Sequence, residues 1–330
     1  MAVNREVAAH APRTARRRVV LFVANVLIYI RHAHLVVRFR KRVGHFPNVA
    51  HPGEYQELIF WRKVFDRNPV YARFCDKLAT KDYIREKAPD LKLAKTLWVG
   101  DRLDDEAHAL LEQGAVLKAN HGCNFNYIPA RDRLERAAVE RLARKWMRRH
   151  YNRRNYEYLY SKARRTLFIE EFLSKPGARM TEIQARVVDG EPFLLSSTTN
   201  QKTENERIAY FDLDGNRRRE MEIGEDGWED DGFEVPASYR EVIRQCAALG
   251  GGLDYVRADF FDLGGELYGG EITVYPTAGL SANDRKPDGL TRTIASRWNL
   301  RLSHFFTVRH GPLIEVYKRA LLEALDAEGR

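Results

Sequence analysis

Residues 256–279 read VRADFFDLGGELYGGEITVYPTAG, and the reading of this stretch decides the fold class. Two runs of β-formers, 256–262 and 267–275, flank Gly264-Gly265, the signature of a β-hairpin. A hairpin centred on Gly265 sets Asp259 opposite Glu271 and Arg257 opposite Thr273. Strand side chains alternate between faces, so these four share one face. Opposed Cβ atoms lie about 5 Å apart, like charges there repel, and two carboxylates so placed call for a cation between them. Hard oxygen donors favour Mg²⁺ or Mn²⁺, ions that commonly sit between carboxylates and nucleotide phosphates. The alternative is that Arg257 neutralises the pair, or that the face is merely solvated.

Two more hairpins precede this one. Residues 184–188 and 192–196 flank Asp189-Gly190, and residues 209–213 and 219–223 flank Asp214-Gly215-Asn216. An acidic stretch covers 225–234, and a further short strand covers 167–169. The first half reads differently. Residues 54–88 carry apolar side chains at helical period, broken by Asp66-Arg67-Asn68-Pro69. The segment 91–99, a helix over 107–112 closed by Gly114, and a strand over 115–118 follow. Residues 131–165 are helical, with 13 basic and 4 acidic side chains. That face either binds a polyanion or is a solvated, salt-bridged surface. Helices over 238–249 and 313–325 complete the chain. Helices early and antiparallel hairpins late make the fold class α+β.

Composition narrows the function classes. With 330 residues, 44% hydrophobic and 31% charged, the chain can bury a substantial core and is not wholly disordered. Its 22 Gly and 12 Pro exclude a fibrous protein. Cys75, Cys123 and Cys246 form no CxxC pair, which argues against a disulfide framework or zinc site and points to a reducing compartment. The basic excess is local: residues 1–42 hold ten Lys/Arg and one acidic residue, and the remainder is balanced at 45 of each. This is a cationic arm on a neutral globule and argues for no nucleic-acid partner. Within the arm, residues 19–30 (VVLFVANVLIYI) lie between Arg16-Arg17-Arg18 and Arg31. Twelve residues span about 18 Å as a helix, short of the roughly 30 Å hydrocarbon core of a bilayer. Three readings remain: a cleaved signal, for which no cleavage site follows; a basic helix lying on an anionic membrane surface; and a helix packed on the protein's own core.

Lys118 ends its strand and opens the loop Asn120-His121-Gly122-Cys123-Asn124, where a compact charge and loop amides could hold phosphate. Asp76-Lys77 lies on a helix with Lys81 one turn on, a pair that is most often plain surface.

Taken in order, HFPNVAHPGEYQELIFWRKVFDRNPVYARFCDKLATKDYIRE (45–86), VLKANHGCNFNYI (116–128), LFIEEFL (167–173) and residues 256–279 resemble an ATP-grasp enzyme. The wording is most similar to the TupA-like ATP-grasp family, linked to teichuronopeptide and other polysaccharide synthesis. The resemblance implies an ATP-grasp fold, two α+β subdomains gripping ATP between antiparallel sheets, here with a basic helical N-terminal extension. It divides the chain into an arm (1–45), a helical and α/β region (46–114), a small subdomain with the phosphate loop (115–166) and a large subdomain with the adenine hinge and metal site (167–330). It implies Lys77 and Lys118 on the phosphates, Asn120, His121 and Gly122 in the phosphate loop, and Glu170, Glu171, Phe172 and Leu173 as the adenine hinge. Glu182 falls to the ribose hydroxyls. Asp259 and Glu271 match the metal ligands, with Thr273 where most ATP-grasp enzymes carry Asn. The loop lacks the extra glycines expected after Gly122, and Gln184, counted with the ATP-binding residues, stands where the family tends to have a third basic residue.

The implied reaction is ATP- and Mg²⁺-dependent (or Mn²⁺-dependent) carboxylate–amine ligation through an acyl phosphate, with Lys118 and Arg257 as catalytic groups. The carboxylate would belong to a sugar acid or polysaccharide and the amine to an amino acid. The implied location is cytoplasmic, peripheral at the inner face of the membrane through residues 1–42. Two rivals stand beside it: an ATP-dependent kinase of the same fold acting on a hydroxyl, and a non-catalytic nucleotide-binding protein of the membrane surface.

Overall fold

A computed structural model describes residues 3–151, 155–174, 180–199, 206–222, 234–281 and 289–330, with side chains from residue 14 onward. Ten strands form two sheets. They are β1 (Lys92–Leu93), β2 (Thr96–Gly100), β3 (Val116–Ala119), β4 (Asn126–Tyr127), β5 (Leu167–Glu170), β6 (Met180–Val188), β7 (Glu191–Thr199), β8 (Arg207–Phe211), β9 (Val256–Leu263) and β10 (Glu266–Thr273). The first sheet runs β2-β5-β3-β4 and the second β1-β10-β9-β6-β7-β8. All neighbours are antiparallel except the short β1–β10 pair. The α+β class and the antiparallel sheets therefore stand.

The division of the chain differs from the expected one at 45, 114 and 166. Met1–Asn68 and Thr277–Arg330 form one compact unit, and Pro69–Pro276 forms the other. The cause in the first unit is aromatic packing. Trp61, on the helix Tyr55–Phe65, meets Phe305 edge-on and stacks on Phe306, and its indole N–H donates to the Tyr317 hydroxyl at 2.8 Å. In the second unit, β5 lies beyond residue 166 yet pairs with β2 and β3, because its four buried side chains, Leu167 to Glu170, complete that sheet's centre.

Within the first unit the N-terminal helix Val3–Arg31 packs along the C-terminal helix Pro312–Glu328. Leu21 and Ile28 are buried, and Arg17 donates to the Glu323 carbonyl at 2.8 Å. Packing on the protein's own core is thus part of the arm's role. The opposite face is apolar and outward: Val19, Phe22, Val23, Val26, Leu27 and Ile30 are exposed, Phe22 by 70% and Ile30 by 73%. Among the described residues no single helix is long and apolar enough to cross a membrane, and the chain turns by 98° between Thr14–Arg31 and Ala33–Val43.

In the second unit the helices Asp105–Glu112 and Arg136–Arg148 cover one face of the four-stranded sheet, burying Ala107, Leu111, Val139 and Trp146 against Leu117 and Ile169. The helix Tyr239–Gly250 covers the six-stranded sheet with Val242, Cys246 and Leu249. The segment 91–99 breaks at Ala94-Lys95 and serves both sheets, as β1 and the start of β2. The strand expected over 219–223 is instead a 3₁₀ turn, Arg219–Met221; residue 223 and residues 225–233 of the acidic stretch lie outside the described set.

The decisive hairpin departs from the expected register. Gly264 and Gly265 both take positive φ (67° and 95°) and form a two-residue turn, so Leu263 pairs with Glu266. Carried along unbroken, this register would set Glu271 opposite Ala258 and on the wrong face. A bulge at Gly270-Glu271 restores it: Ile272 pairs with Ala258 and Thr273 with Arg257. Arg257 faces Thr273 as expected, whereas Asp259 faces a bulge instead of a single Glu271. Gly270 is required there, since a Cβ would lie 2.7 Å from the Asp259 carbonyl.

Candidate functional site

The two sheets of the second unit and the helix Lys77–Lys87 enclose a cavity of about 270 Å³. Lys118, Asn126, Phe168 and Glu170 come from one sheet, and Glu182, Gln184, Arg257, Asp259, Phe261 and Glu271 from the other. Strand period two accounts for both sets. Glu182 and Gln184 share a face of β6, and Arg257, Asp259 and Phe261 share a face of β9.

On the first wall, Glu170 is buried between two ammonium groups. Lys81 Nζ donates to its Oε2 at 2.6 Å, and Lys118 Nζ holds Oε1. Burial pushes the Glu170 carboxyl up, but Lys118 and Lys81 pull harder and hold it below the usual range. Burial draws Lys118 down, but Glu170 and then Glu271 outweigh it and leave the ammonium above its ordinary value. Lys81 sits below its ordinary value because burial exceeds what Glu170 returns. Lys81 was not expected in the site. Its position four residues after Lys77, hence on the same helical face, was the available signal. Lys77 also lines the cavity, and its Nζ donates to the Gly122 carbonyl at 2.5 Å and lies 3.8 Å from Glu271 Oε1.

On the second wall, Arg257 grips both Asp259 oxygens at 2.7 and 2.6 Å, and Thr273 Oγ1 donates to Asp259 at 3.3 Å. Burial raises the Asp259 carboxyl against the pull of Arg257, and Glu271 adds to the rise. Glu182 accepts from Gln184 Nε2 at 3.0 Å, and burial together with Asp259 pushes it up to about 7. Three carboxylates, Glu182, Asp259 and Glu271, therefore converge on one cavity wall, with Arg257 gripping Asp259 and Lys77 near Glu271. The donor chemistry of Asp259, Glu271 and Thr273 fits Mg²⁺ once Arg257 yields one Asp259 oxygen. No cage of three or more acidic, His or Cys ligands is present among the described residues. Mg²⁺ is commonly held by one or two carboxylates plus substrate phosphates, so the set is of the ordinary size. Arg186, also missed in the sequence, lies two residues beyond Gln184. It is buried, donates to the Gln184 carbonyl at 2.9 Å and to Ser196 Oγ at 2.7 Å, and pairs in register with Arg257. The basic charge lacking at 184 is thus present beneath the same face.

Five expected ATP-binding residues, Asn120, His121, Gly122, Glu171 and Phe172, do not line the cavity. Asn120 is buried: its amide oxygen accepts from the Leu78 N–H and its nitrogen donates to the Arg164 carbonyl, both at 2.8 Å. It brackets helix to strand and does not line the cavity. His121 is buried against Phe125 with Nε2 3.1 Å from the Trp146 carbonyl. Glu171 turns back to accept from the Lys95 amide at 2.8 Å, and Phe172 is exposed, so of the hinge Glu170 and Leu173 line the cavity. Gly122 contributes its carbonyl to Lys77, and the loop residues on the cavity are Cys123 to Asn126. Gly122 has φ +85°, and a Cβ there would lie 2.8 Å from the Tyr151 ring and 2.9 Å from Phe125.

The family model described as TupA-like ATP-grasp matches residues 57–291. No curated protein sequence matches the chain. Among solved structures it is similar to the ATP-grasp ligase PsnB complexed with minimal precursor, at 15% identity over 70% of this chain and 61% of that one, with TM-score 0.37. It is similar to D-alanine–D-alanine ligase from Helicobacter pylori at 13% identity over 75% and 69%, with TM-score 0.41. It is similar to N5-carboxyaminoimidazole synthase from Aspergillus clavatus, in complex with ADP and an aminoimidazole ribonucleotide, at 12% identity over 76% and 56%, with TM-score 0.38. The chain thus spans less than two thirds of the PsnB and synthase chains.

Proposed function

The chain belongs to the TupA-like ATP-grasp family, and from that premise we propose that it is an ATP-dependent carboxylate–amine ligase. Its carboxylate substrate is a sugar acid or polysaccharide-linked acid of the cell envelope, and its amine an amino acid. The observation that carries the reading is the single cavity in which Lys77 and Lys118 face Arg257, Asp259 and Glu271.

Adenine lies against Phe168, Leu173 and Phe261 beside the hinge, with Glu182 toward the ribose. Lys77 and Lys118 neutralise the phosphate oxygens. A substrate carboxylate oxygen attacks the γ-phosphorus, the bond to ADP breaks, and an acyl phosphate forms. The amine nitrogen then attacks the acyl carbon, the carbon–oxygen bond to phosphate breaks, and the nitrogen loses a proton to leave an amide. Arg257 holds the carboxylate, and afterwards the acyl phosphate, by its planar fork. Asp259, Glu271 and Thr273 would hold Mg²⁺, which supplies charge neutralisation on the phosphates when bound.

Hydroxylamine trapping tests the reaction class. With ATP, Mg²⁺ and a uronic acid, the ligase yields ADP and a hydroxamate in equal amounts. ADP with a phosphorylated sugar and no hydroxamate would establish the kinase instead.

The outward apolar face of residues 19–30, with exposed Arg16, Arg18 and Arg31 at its ends, suits a helix lying in an anionic membrane surface. An enzyme held there would work at the inner face, beside envelope assembly. Vesicles containing phosphatidylglycerol are expected to bind the full chain, and Phe22→Asp with Leu27→Asp to lower that binding about tenfold or more. Equal binding by the double variant would remove the membrane from the proposal.

A further inference from the structure

We infer that a second cleft, on the outer side of the 123–125 loop, holds the anionic acceptor chain, a uronate-bearing glycan. The inference rests on the ligase reading and deepens it by placing the acceptor. The cleft has a volume of about 350 Å³ and shares Cys123, Asn124 and Phe125 with the cavity described above. Phe125, Trp146 and Tyr151 form its floor, and Lys145, Arg149 and His150 stand exposed around it. Among the described residues no acidic side chain lines it.

On the neighbouring helix the cations differ in whether a carboxylate meets them. Arg136 and Arg144, on the helix Arg136–Arg148, pair with Asp105 and Glu140. Lys145 and Arg149, which face the cleft, have no carboxylate partner among the described residues, as is also true of Arg141 and Arg148, and the Arg149 guanidinium lies over the Phe125 ring, 5.6 Å from its centroid. A guanidinium and an ammonium so placed can receive a carboxylate. The volume is that of a small-molecule site and accepts a short saccharide. Nucleic acid is the rival polyanion, which a short oligothymidylate represents in the experiment.

The shared loop couples the cleft to the chemistry. Gly122 seats the loop on Tyr151 and Phe125 with no room for a side chain, so a ligand on that floor touches the loop whose other side borders the nucleotide cavity. The loop also carries its own reporter, since Cys123 is exposed while Cys75 and Cys246 are buried.

The test measures the rate of Cys123 alkylation by N-ethylmaleimide in the full chain. Saturating trigalacturonate is expected to slow alkylation about tenfold, and maltotriose to leave it unchanged. In the double variant Lys145→Ala, Arg149→Ala, trigalacturonate protection is expected to disappear while protection by ATP with Mg²⁺ persists. Equal protection by maltotriose or by a short oligothymidylate, or trigalacturonate protection that survives in the double variant, would overturn the cleft assignment. Protection by trigalacturonate with none from ATP would support the cleft and overturn the nucleotide site.

Discussion

Glu271→Gln is expected to stop both ADP and hydroxamate formation, by roughly 10³-fold or more, while leaving the melting transition in place. The size follows from what the residue can do. Its carboxylate is the exposed member of the converging set, at 51% side-chain exposure, and its oxygens are the ones not already gripped by Arg257. An amide of the same shape removes the negative charge that would hold a divalent ion against the phosphates. The fold has little at stake, because the contact with Lys77 is long and partly solvated, and such pairs contribute about 0–1 kcal/mol. Asp259→Asn is the less informative variant, since it also strips Arg257 of its buried partner. Wild-type rates of ADP formation in Glu271→Gln would sink the metal assignment.

Glu170→Ala is expected to cost about 3–5 kcal/mol of stability in the second unit, because it leaves two ammonium groups without the carboxylate they share. The comparison with Glu271 decides the order of the two effects. Both carboxylates meet lysines, but Glu170 is buried, with Lys81 at 2.6 Å and Lys118 bonded to its other oxygen. Lys81 keeps its bond to the Ala94 carbonyl at 2.7 Å, which does not replace a negative charge. The pH dependence has a definite sign. The lysines hold the native Glu170 pKa below its unfolded value, so its contribution is fully present above the ordinary glutamate range and is lost as pH falls through the native value. Denaturant titrations of wild type and Glu170→Ala should therefore differ most near pH 7 and converge in acid. A difference below about 1 kcal/mol at pH 7 would mean that the three charges are not held together in solution.

How much of this could be read in advance depended on the range of the forces involved. Period-two alternation along residues 256–263 is local, and it placed Arg257 and Asp259 on one face correctly. The turn at Gly264-Gly265 was also local, but whether it held two residues or three was not, and the bulge at Gly270-Glu271 answers to the Asp259 carbonyl on the neighbouring strand. Lys118 could be found because it ends a strand beside a loop. Lys81 and Arg186 were passed over because an interior helical lysine and a strand arginine look like surface until the opposing wall is known. Asn120 and His121 erred in the other direction. Polar residues around a glycine suggest a ligand loop, and here the Asn120 amide and His121 Nε2 are engaged by Leu78, Arg164 and Trp146, residues 25 to 44 positions away.

By itself, the sequence determined the α+β class, the hairpin that carries the acidic residues, the family resemblance and the concentration of positive charge in the first 42 residues. Each follows from patterning within a short window, where periodicity and turn chemistry act directly on the backbone. Only the tertiary structure decided that residues 1–68 pack with 277–330, that one carboxylate is clamped by two lysines, and which face of the N-terminal helix is left outward. Those outcomes turn on burial and on partners distant in the chain, and desolvation has no value until the surrounding walls exist.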